Sequence, residues 1–238
     1  SSLSLLDYAF MLSVKSKDIF MVLIKAKSLD ANYFHMYQKR NENEGFTTPL
    51  IEATKNGDLE IIKAIINHPS FDQNRSHILS CLFIAIRKND SNLFKFFLEL
   101  NNGDINIKNM NNQSLLFAAA SSGNSKILNE IISNQKFDPA KSDILNSFVN
   151  SNTTESKKIL VAYDEEHGKH FLSLDKIFML SKLHNFDKNY NREQENVYQN
   201  AIEFFLRKKG LLPVIPSICT SVLGKDTNVK LVKMEDMK

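Results

Sequence analysis

Hydrophobic positions along most of the chain fall at helical spacing and predict pairs of short helices joined by tight turns. In three stretches an apolar stripe, mostly at i, i+1, i+4 and i+5, marks one buried helix face. The stripes are Ile61, Ile62, Ile65 and Ile66; Phe94, Phe97 and Leu98; and Ile127, Leu128, Ile131 and Ile132. One such pair cannot bury its apolar face alone, so neighbouring pairs must pack together. The pattern therefore predicts an all-α fold.

Three markers recur at intervals of 32 and 34 residues within 46–140. They are a small residue (Ala53, Ala85, Ala119), a turn residue (Gly57, Asn89, Gly123) and an aspartate (Asp72, Asp104, Asp138). A small residue lets two helix backbones approach closely, and Gly or Asn tolerates the positive φ that ends a helix. Because three independent markers keep one register, we predict a repeated unit of helix, tight turn and helix.

Two runs within this region carry a resemblance to a known family. They are Thr48-Pro49-Leu50-Ile51-Glu52-Ala53 with Asn56-Gly57-Asp58-Leu59-Glu60-Ile61-Ile62, and Asn102-Gly103-Asp104-Ile105-Asn106. The first resembles the core of the ankyrin repeat and the second its inter-repeat loop, which implies a helix-turn-helix solenoid. The family's usual His after Thr-Pro-Leu is Ile51, Phe83 and Phe117 here. We therefore expect its hydrogen bonds to the neighbouring loop to be absent.

Flanking segments extend the predicted array to about five to six stacked helix pairs in a single domain, 1–210, with degenerate pairs in 1–45 and 141–210. Apolar positions in 5–14 and 18–27 predict a first pair, and those in 144–149 and 159–161 a fifth. Segments 172–183 and 193–209 predict a sixth pair. Its long, charged last helix suits a C-terminal cap, since a terminal repeat needs a polar outer face.

Two segments depart from the repeat. Residues 33–45 exceed the expected loop length, and their aromatic residues predict an extra turn packed on the array, with an exposed aromatic patch as the alternative. Residues 211–238 are predicted to form an extended, partly flexible tail. Its apolar part, 211–219, is broken by Pro213 and Pro216, which block a helix. It is interpreted as a lid along the last repeat or, alternatively, as a docking peptide.

Composition and charge narrow the class of protein. The chain has 238 residues, of which 42% are hydrophobic and 24% charged, so it is typical of neither a disordered tail nor a membrane protein. Two Cys cannot form a disulfide framework, which favours a reducing, cytoplasmic setting, with the nucleus left open. The 30 basic and 27 acidic residues are spread evenly, whereas nucleic-acid binders concentrate Lys and Arg on one face. No run approaches the roughly 20 apolar residues that span a bilayer, so membrane insertion is not expected.

Candidate catalytic and metal-binding groups are sparse. His167 and His170 lie three residues apart beside two carboxylates, but Gly168 between them argues against a preorganised helical site, and a solvated loop is favoured. Cys81 is predicted to be a small buried hydrophobe. The sequence has no phosphate-binding glycine motif and no nucleophile elbow. We therefore expect no enzyme, metal or cofactor.

The ankyrin resemblance implies a protein-binding surface made of loop tips and the exposed sides of first helices. Carried over by position, the predicted binding residues are Glu52, Lys55, Asn56, Ile84, Arg87, Lys88, Met110, Asn111, Gln113, Ala118, Ser121 and Ser122. Arg87 and Met110 are the predicted anchors, since Arg and Met are enriched in interface cores. The expected function is a non-catalytic, monomeric scaffold or adaptor that binds a partner protein.

Two other functions remain open at this stage. The chain could be the recognition part of a longer protein whose chemistry or membrane attachment is encoded elsewhere. It could also be an enzyme or metal protein that uses 142–210, a hypothesis that rests only on His167 and His170.

Overall fold

The computed structural model describes residues 5–38, 44–74, 76–168, 171–185 and 192–208, and these are mostly helical. The α-helices are α1 (Leu5–Ser13), α2 (Lys17–Leu23), α3 (Pro49–Asn56), α4 (Leu59–Ile66), α5 (Ile78–Arg87), α6 (Ser91–Leu100), α7 (Leu115–Ser121), α8 (Ser125–Ile132), α9 (Ile144–Val149), α10 (Thr154–His167), α11 (Leu174–Asn185) and α12 (Arg192–Lys208). The other elements are the strands β1 (His35–Gln38) and β2 (Glu44–Thr47) and a 3₁₀ turn (Pro139–Lys141).

The helices contact one another in a repeating order. The first helix of each pair, α1, α3, α5 or α7, contacts the first helix of the next pair, ending with α9. Among the second helices, α2 contacts α4, α6 contacts α8, and α8 contacts α10. Successive pairs thus pack side by side, and the apolar stripes of α4, α6 and α8 lie in one continuous core. The predicted helix pairs at both ends are also present, and α11 and α12 pack on α9.

Side-chain caps fix where the helices begin. Thr48 Oγ1 accepts from Ile51 N at 3.2 Å, and Pro49 occupies the first turn of α3, where its missing N–H leaves no hydrogen bond unmade. Asp58 Oδ1 accepts from the amides of Glu60 and Ile61, and thereby caps α4. Asp90 and Ser114 cap α6 and α7 in the same way.

The predicted turn residues lie where the backbone needs a positive φ. Gly57, Asn89 and Gly123 have φ values of 82°, 55° and 73°. Each follows a first helix and redirects the chain into the second, a conformation that Gly and Asn adopt at low cost. The prediction from the repeat is confirmed at all three positions.

The loop aspartates form a local turn of their own. The carboxylates of Asp30, Asp72, Asp104 and Asp138 each accept a hydrogen bond from the amide two residues later, at 2.9–3.0 Å. This Asx turn explains why an aspartate recurs in the sequence. Asp30 is a fourth member of the series.

Two asparagines join neighbouring loops by hydrogen bonds, a role that the ankyrin resemblance assigns to a histidine. Asn32 Oδ1 accepts from Asp72 N at 2.9 Å, and its Nδ2 donates to the Ser70 carbonyl at 2.6 Å. Asn106 repeats the contact, because its Oδ1 accepts from Asp138 N at 2.8 Å. Loop-to-loop hydrogen bonds are therefore present, although a different residue type makes them.

The segment after α2 forms a strand pair, so the predicted extra turn is wrong. β1 pairs antiparallel with β2, in a register that places His35 opposite Thr47 and Met36 opposite Phe46. An alternating segment exposes one set of side chains and covers the other. Tyr33 is buried, whereas Phe34 and Met36 are exposed, which agrees in part with the alternative of an exposed aromatic patch. The tail 211–238 lies outside the described residues.

Candidate protein-binding surface

The twelve predicted binding residues fall into three classes of exposure. The exposed residues are Lys55, Asn56, Arg87, Lys88, Met110 and Asn111. The half-buried residues are Glu52, Gln113, Ser121 and Ser122. The buried residues are Ile84 and Ala118, with 6% and 9% of their surface exposed. Ten of the twelve predicted residues are therefore accessible to a partner, and the prediction is wrong for the other two.

The expectation that Ile84 and Ala118 lie on an open surface is wrong. Helix α5 contacts α3, α6 and α7, and α7 contacts α5, α8 and α9. A helix packed on three sides is apolar nearly all round. Ile84 and Ala118 therefore belong to the helix packing, and on α5 the last residue, Arg87, is the exposed one.

Helix α3 carries a small group of charged side chains on its surface. Glu52 Oε1 accepts from Thr47 Oγ1 at 2.6 Å and from Lys55 Nζ at 2.7 Å. Burial opposes ionisation of Glu52, but the hydrogen bonds from Lys55 and Thr47 outweigh it and lower the pKa of the carboxyl. Lys15, just after α1, favours the ionised form as well. Glu52 is thus held in place as a carboxylate beside two cations.

The end of α5 is joined to the end of α3 by a lysine. Lys88 Nζ donates a hydrogen bond to the backbone carbonyl of Lys55. Lys88 therefore links two neighbouring helix pairs, in addition to the binding role predicted for it. The neighbouring Arg87 is exposed. Between them, these residues place exposed cationic side chains on adjacent helix ends.

The loop 104–114 projects a single apolar side chain. Asn109 Oδ1 accepts from the amides of Asn111 and Gln113 at 2.9 and 3.0 Å, and Asn109 Nδ2 donates to Gln113 Oε1 at 2.9 Å. Lys108 and Ser114 close the base of the loop as an isolated bridge. Met110 lies at the ordered tip with 92% of its surface exposed. Gln113 is thus a loop-fixing residue, and Met110 is available for contact.

A second cluster near the strand pair was not predicted as a site. The ring of Phe34 lies 5.3 Å from that of Phe46 and 5.6 Å from that of His77, and Phe46 lies 4.8 Å from His77. Burial lowers the pKa of His77. The aromatic residues of 33–37 were the only sequence signal, because His77 lies more than forty residues away in the chain.

The part of the chain that the structure describes contains no cluster of side chains that could bind a metal ion. No set of three or more His, Cys, Asp or Glu side chains there could hold a metal ion. His167 ends α10, its ring stacks on Tyr163 at 4.1 Å, and its Nδ1 donates to the Tyr163 carbonyl at 2.9 Å. His170 lies outside the described residues. Cys81 is fully buried, and burial raises the pKa of its thiol to about 12.

Comparisons with known proteins leave the family open. No protein-family model matches the chain, and neither curated proteins nor solved structures give a significant match. Within the described residues, no helix has both the length and the apolar character needed to cross a membrane.

Proposed function

We propose that this chain is a non-catalytic, ankyrin-like array of helix pairs that serves as a scaffold or adaptor and binds a partner protein. The repeated features of the loops support the array. The same Asx turn occurs at Asp30, Asp72, Asp104 and Asp138. Helix ends with positive φ and contacts between successive first helices add to that support. Two cysteines, of which Cys81 is a buried free thiol, suit a reducing, cytoplasmic setting.

One observation carries the binding proposal: polar and cationic residues are exposed at the ends of two adjacent first helices, and a methionine is exposed at the tip of a later loop. Asn56 and Lys55 end α3, Arg87 ends α5, and Met110 occupies the tip. The Lys88 contact holds the ends of α3 and α5 together before any partner binds. The relative position of these two helix ends is thus set before binding, which lowers the cost of ordering them in a complex.

Affinity capture from the source cell's lysate tests the proposal. The wild-type chain is compared with a variant that carries Arg87→Glu and Met110→Ala. Both residues are exposed, so circular dichroism and thermal melting should show an unchanged fold. Lys88 is kept, because its loss would also remove a hydrogen bond between helix pairs. A specific protein retained by the wild type should be lost from the variant.

A matched charge reversal on another side of the molecule controls for net charge. Lys126→Glu lies on α8, a second helix, and its side chain is exposed. It should leave capture unchanged. If the same proteins stay bound to the Arg87→Glu and Met110→Ala variant, the binding surface is wrongly placed. If the wild type captures no specific protein, the adaptor proposal itself fails.

A further inference from the structure

The first helix pair exposes an unusual amount of apolar surface. Leu5, Tyr8 and Leu12 follow one side of α1 at intervals of three and four residues, and they are 84%, 37% and 52% exposed. The opposite side, with Phe10 and Met11, is buried. A helix that is apolar on both sides is expected between two neighbours. On this side of α1 the Tyr8 ring contacts His35 of β1 at 5.2 Å, while Leu5 and Leu12 remain more than half exposed.

Helix α2 adds two residues to this surface. Ile19 and Val22 lie one turn apart and are 56% and 68% exposed. Phe20 on the other side is fully buried and stacks on Phe10 at 4.8 Å. Leu5, Tyr8, Leu12, Ile19 and Val22 are together called the N-terminal apolar surface.

The position of Ile19 in the repeat shows that its exposure is exceptional. Ile19 is the third residue after the N-cap of its helix, as are Ile61, Leu93 and Ile127. Those three are at most 2% exposed, because their helices have neighbours on that side. The same register position is therefore internal in α4, α6 and α8 and open in α2.

The opposite end of the array has a different character. Among the residues of α12 whose side chains the structure describes, 196–208, the exposed ones are polar: Asn196, Asn200, Arg207 and Lys208. Arg207 also forms an ion pair with Glu203. Met179 of α11 is the one large apolar side chain exposed on these two helices, among their described side chains. Head-to-tail contact between copies would therefore place an apolar surface against a polar one.

We propose that a second copy of this chain covers the N-terminal apolar surface, so that two molecules meet through the same surface about a two-fold axis. Contact through one self-complementary patch closes the assembly at a dimer. The exposed stripe of α1 has no charged side chain, and the two charges that precede Ile19 on α2, Lys17 and Asp18, are of opposite sign, so no excess of one charge opposes the contact. The five side chains expose roughly 500 Å² per copy, and thus roughly 1,000 Å² in the dimer, which reaches the lower limit for a specific interface.

Sedimentation equilibrium over a concentration series measures the association directly. We expect the wild-type chain to approach twice the single-chain mass as concentration rises. A variant with Leu12→Lys and Val22→Lys should stay at the single-chain mass, because the two-fold axis brings like charges together. Both side chains are more than half exposed, so the fold should be unchanged by circular dichroism. Val22 lies four residues after Asp18, so a lysine introduced there gains a favourable helical pairing.

Two further variants keep the test decisive. Leu5→Lys changes a side chain that is 84% exposed at the start of α1, so it should weaken the dimer at least tenfold even if the double variant misfolds. Met179→Lys adds the same charge at the opposite end and should leave the dimer intact. A wild-type chain that remains monomeric at its highest soluble concentration overturns the proposal and assigns the surface to another occupant, such as a further helix pair. A dimer that is lost only with Met179→Lys also overturns it.

Discussion

The helices before α11 divide into an N-terminal half, α1 to α5, and a C-terminal half, α6 to α10, which use the same loop and turn residues in opposite surroundings. In the N-terminal half the loop residue Asn32 is 1% exposed, whereas the turn at Gly57 meets only the flexible end of the Lys88 side chain. In the C-terminal half the loop residue Asn106 is half-buried. There the turn is tight, because a Cβ on Gly123 would lie 2.7 Å from Thr153 Cγ2.

The difference shows that repeat register specifies which residue is present but not how much it contributes to stability. A buried hydrogen-bonding group leaves its partners without water when it is removed, and an exposed one does not. A glycine with positive φ tolerates a side chain only if the neighbouring atoms can move. In the N-terminal half the loop asparagine is therefore tightly packed and the turn glycine is permissive. In the C-terminal half the turn glycine is tightly packed and the loop asparagine is permissive.

Replacement of the loop asparagines should give the largest contrast. Asn32→Ala removes a buried side chain and leaves the half-buried amide of Asp72 and carbonyl of Ser70 without their partner, and should lower the free energy of unfolding by about 2–4 kcal/mol. Asn106→Ala leaves groups that water can reach, and should cost about 1 kcal/mol. Urea unfolding of both variants measures the two losses. Asn200→Ala, an exposed residue of α12, serves as the control and should change stability by less than about 0.5 kcal/mol.

Equal losses at Asn32 and Asn106 would contradict the contrast between the halves. In that case burial of the loop would not determine the value of the contact.

Alanine substitution at the turn glycines should give a smaller difference in stability loss, with the larger loss now in the C-terminal half. Gly123→Ala combines a strained positive φ with a clash against Thr153, and should cost about 2–3 kcal/mol. Gly57→Ala has the strained φ alone and should cost about 1–2 kcal/mol. Thermal unfolding of the pair measures the difference.

The second-site variant Thr153→Ser separates the clash from the strain. Serine lacks Cγ2 but keeps the hydroxyl that caps α10. In this background Gly123→Ala should cost no more than Gly57→Ala does in the wild type. If the loss stays the same, the contact with Thr153 is not its cause.

The smallest expected effect concerns pH and the start of α5. Cys81 shares its register position with Leu115 of α7, and both are fully buried, but only the thiol can ionise. The pKa of the Cys81 thiol is about 12 in the folded state, against an ordinary value of 9.0. Above pH 9 the thiol therefore ionises in the unfolded chain before it does so in the folded one, and the contribution of Cys81 to folding stability falls as pH rises from 9 toward 12. From pH 8 to pH 10 the stability difference between the wild type and Cys81→Ala should fall by about 1 kcal/mol. Urea unfolding at both pH values measures it, and a constant difference would contradict the buried neutral thiol.

Periodicity predicted the second helices well, because their apolar stripes are long and regular. The stripes through Ile61, Phe94 and Ile127 lie in α4, α6 and α8, and the positive φ at Gly57 and Gly123 follows from residue type. The loop-to-loop hydrogen bonds could not be predicted in this way. Asn32 and Asp72 lie forty residues apart, and only the packing of adjacent loops brings them together.

The candidate binding surface was predicted less completely, for a packing reason. Ile84 and Ala118 occupy positions that a resemblance assigns to solvent, yet contacts on three sides of α5 and α7 bury them. Lys88 was predicted as surface alone, because sequence spacing does not reveal a hydrogen bond to a carbonyl 33 residues earlier. Arg87 and Met110 are exposed, as predicted, and whether they bind a partner remains a prediction.

The strand pair of β1 and β2 makes the interval between the first two loop aspartates longer than the others. Asp30 and Asp72 are 42 residues apart, whereas the later intervals are 32 and 34. The additional residues begin after the loop that contains Asp30 and end before Thr48. The Asx turn at Asp30 and the contact between Asn32 and Asp72 are therefore the same as in the shorter repeats. Closure of a longer loop costs only about 0.6 kcal/mol for each doubling. The strand pair of β1 and β2 is thus an insertion point. We expect this chain to accept new sequence there, including a grafted epitope or reporter, without a change in the order of its helices.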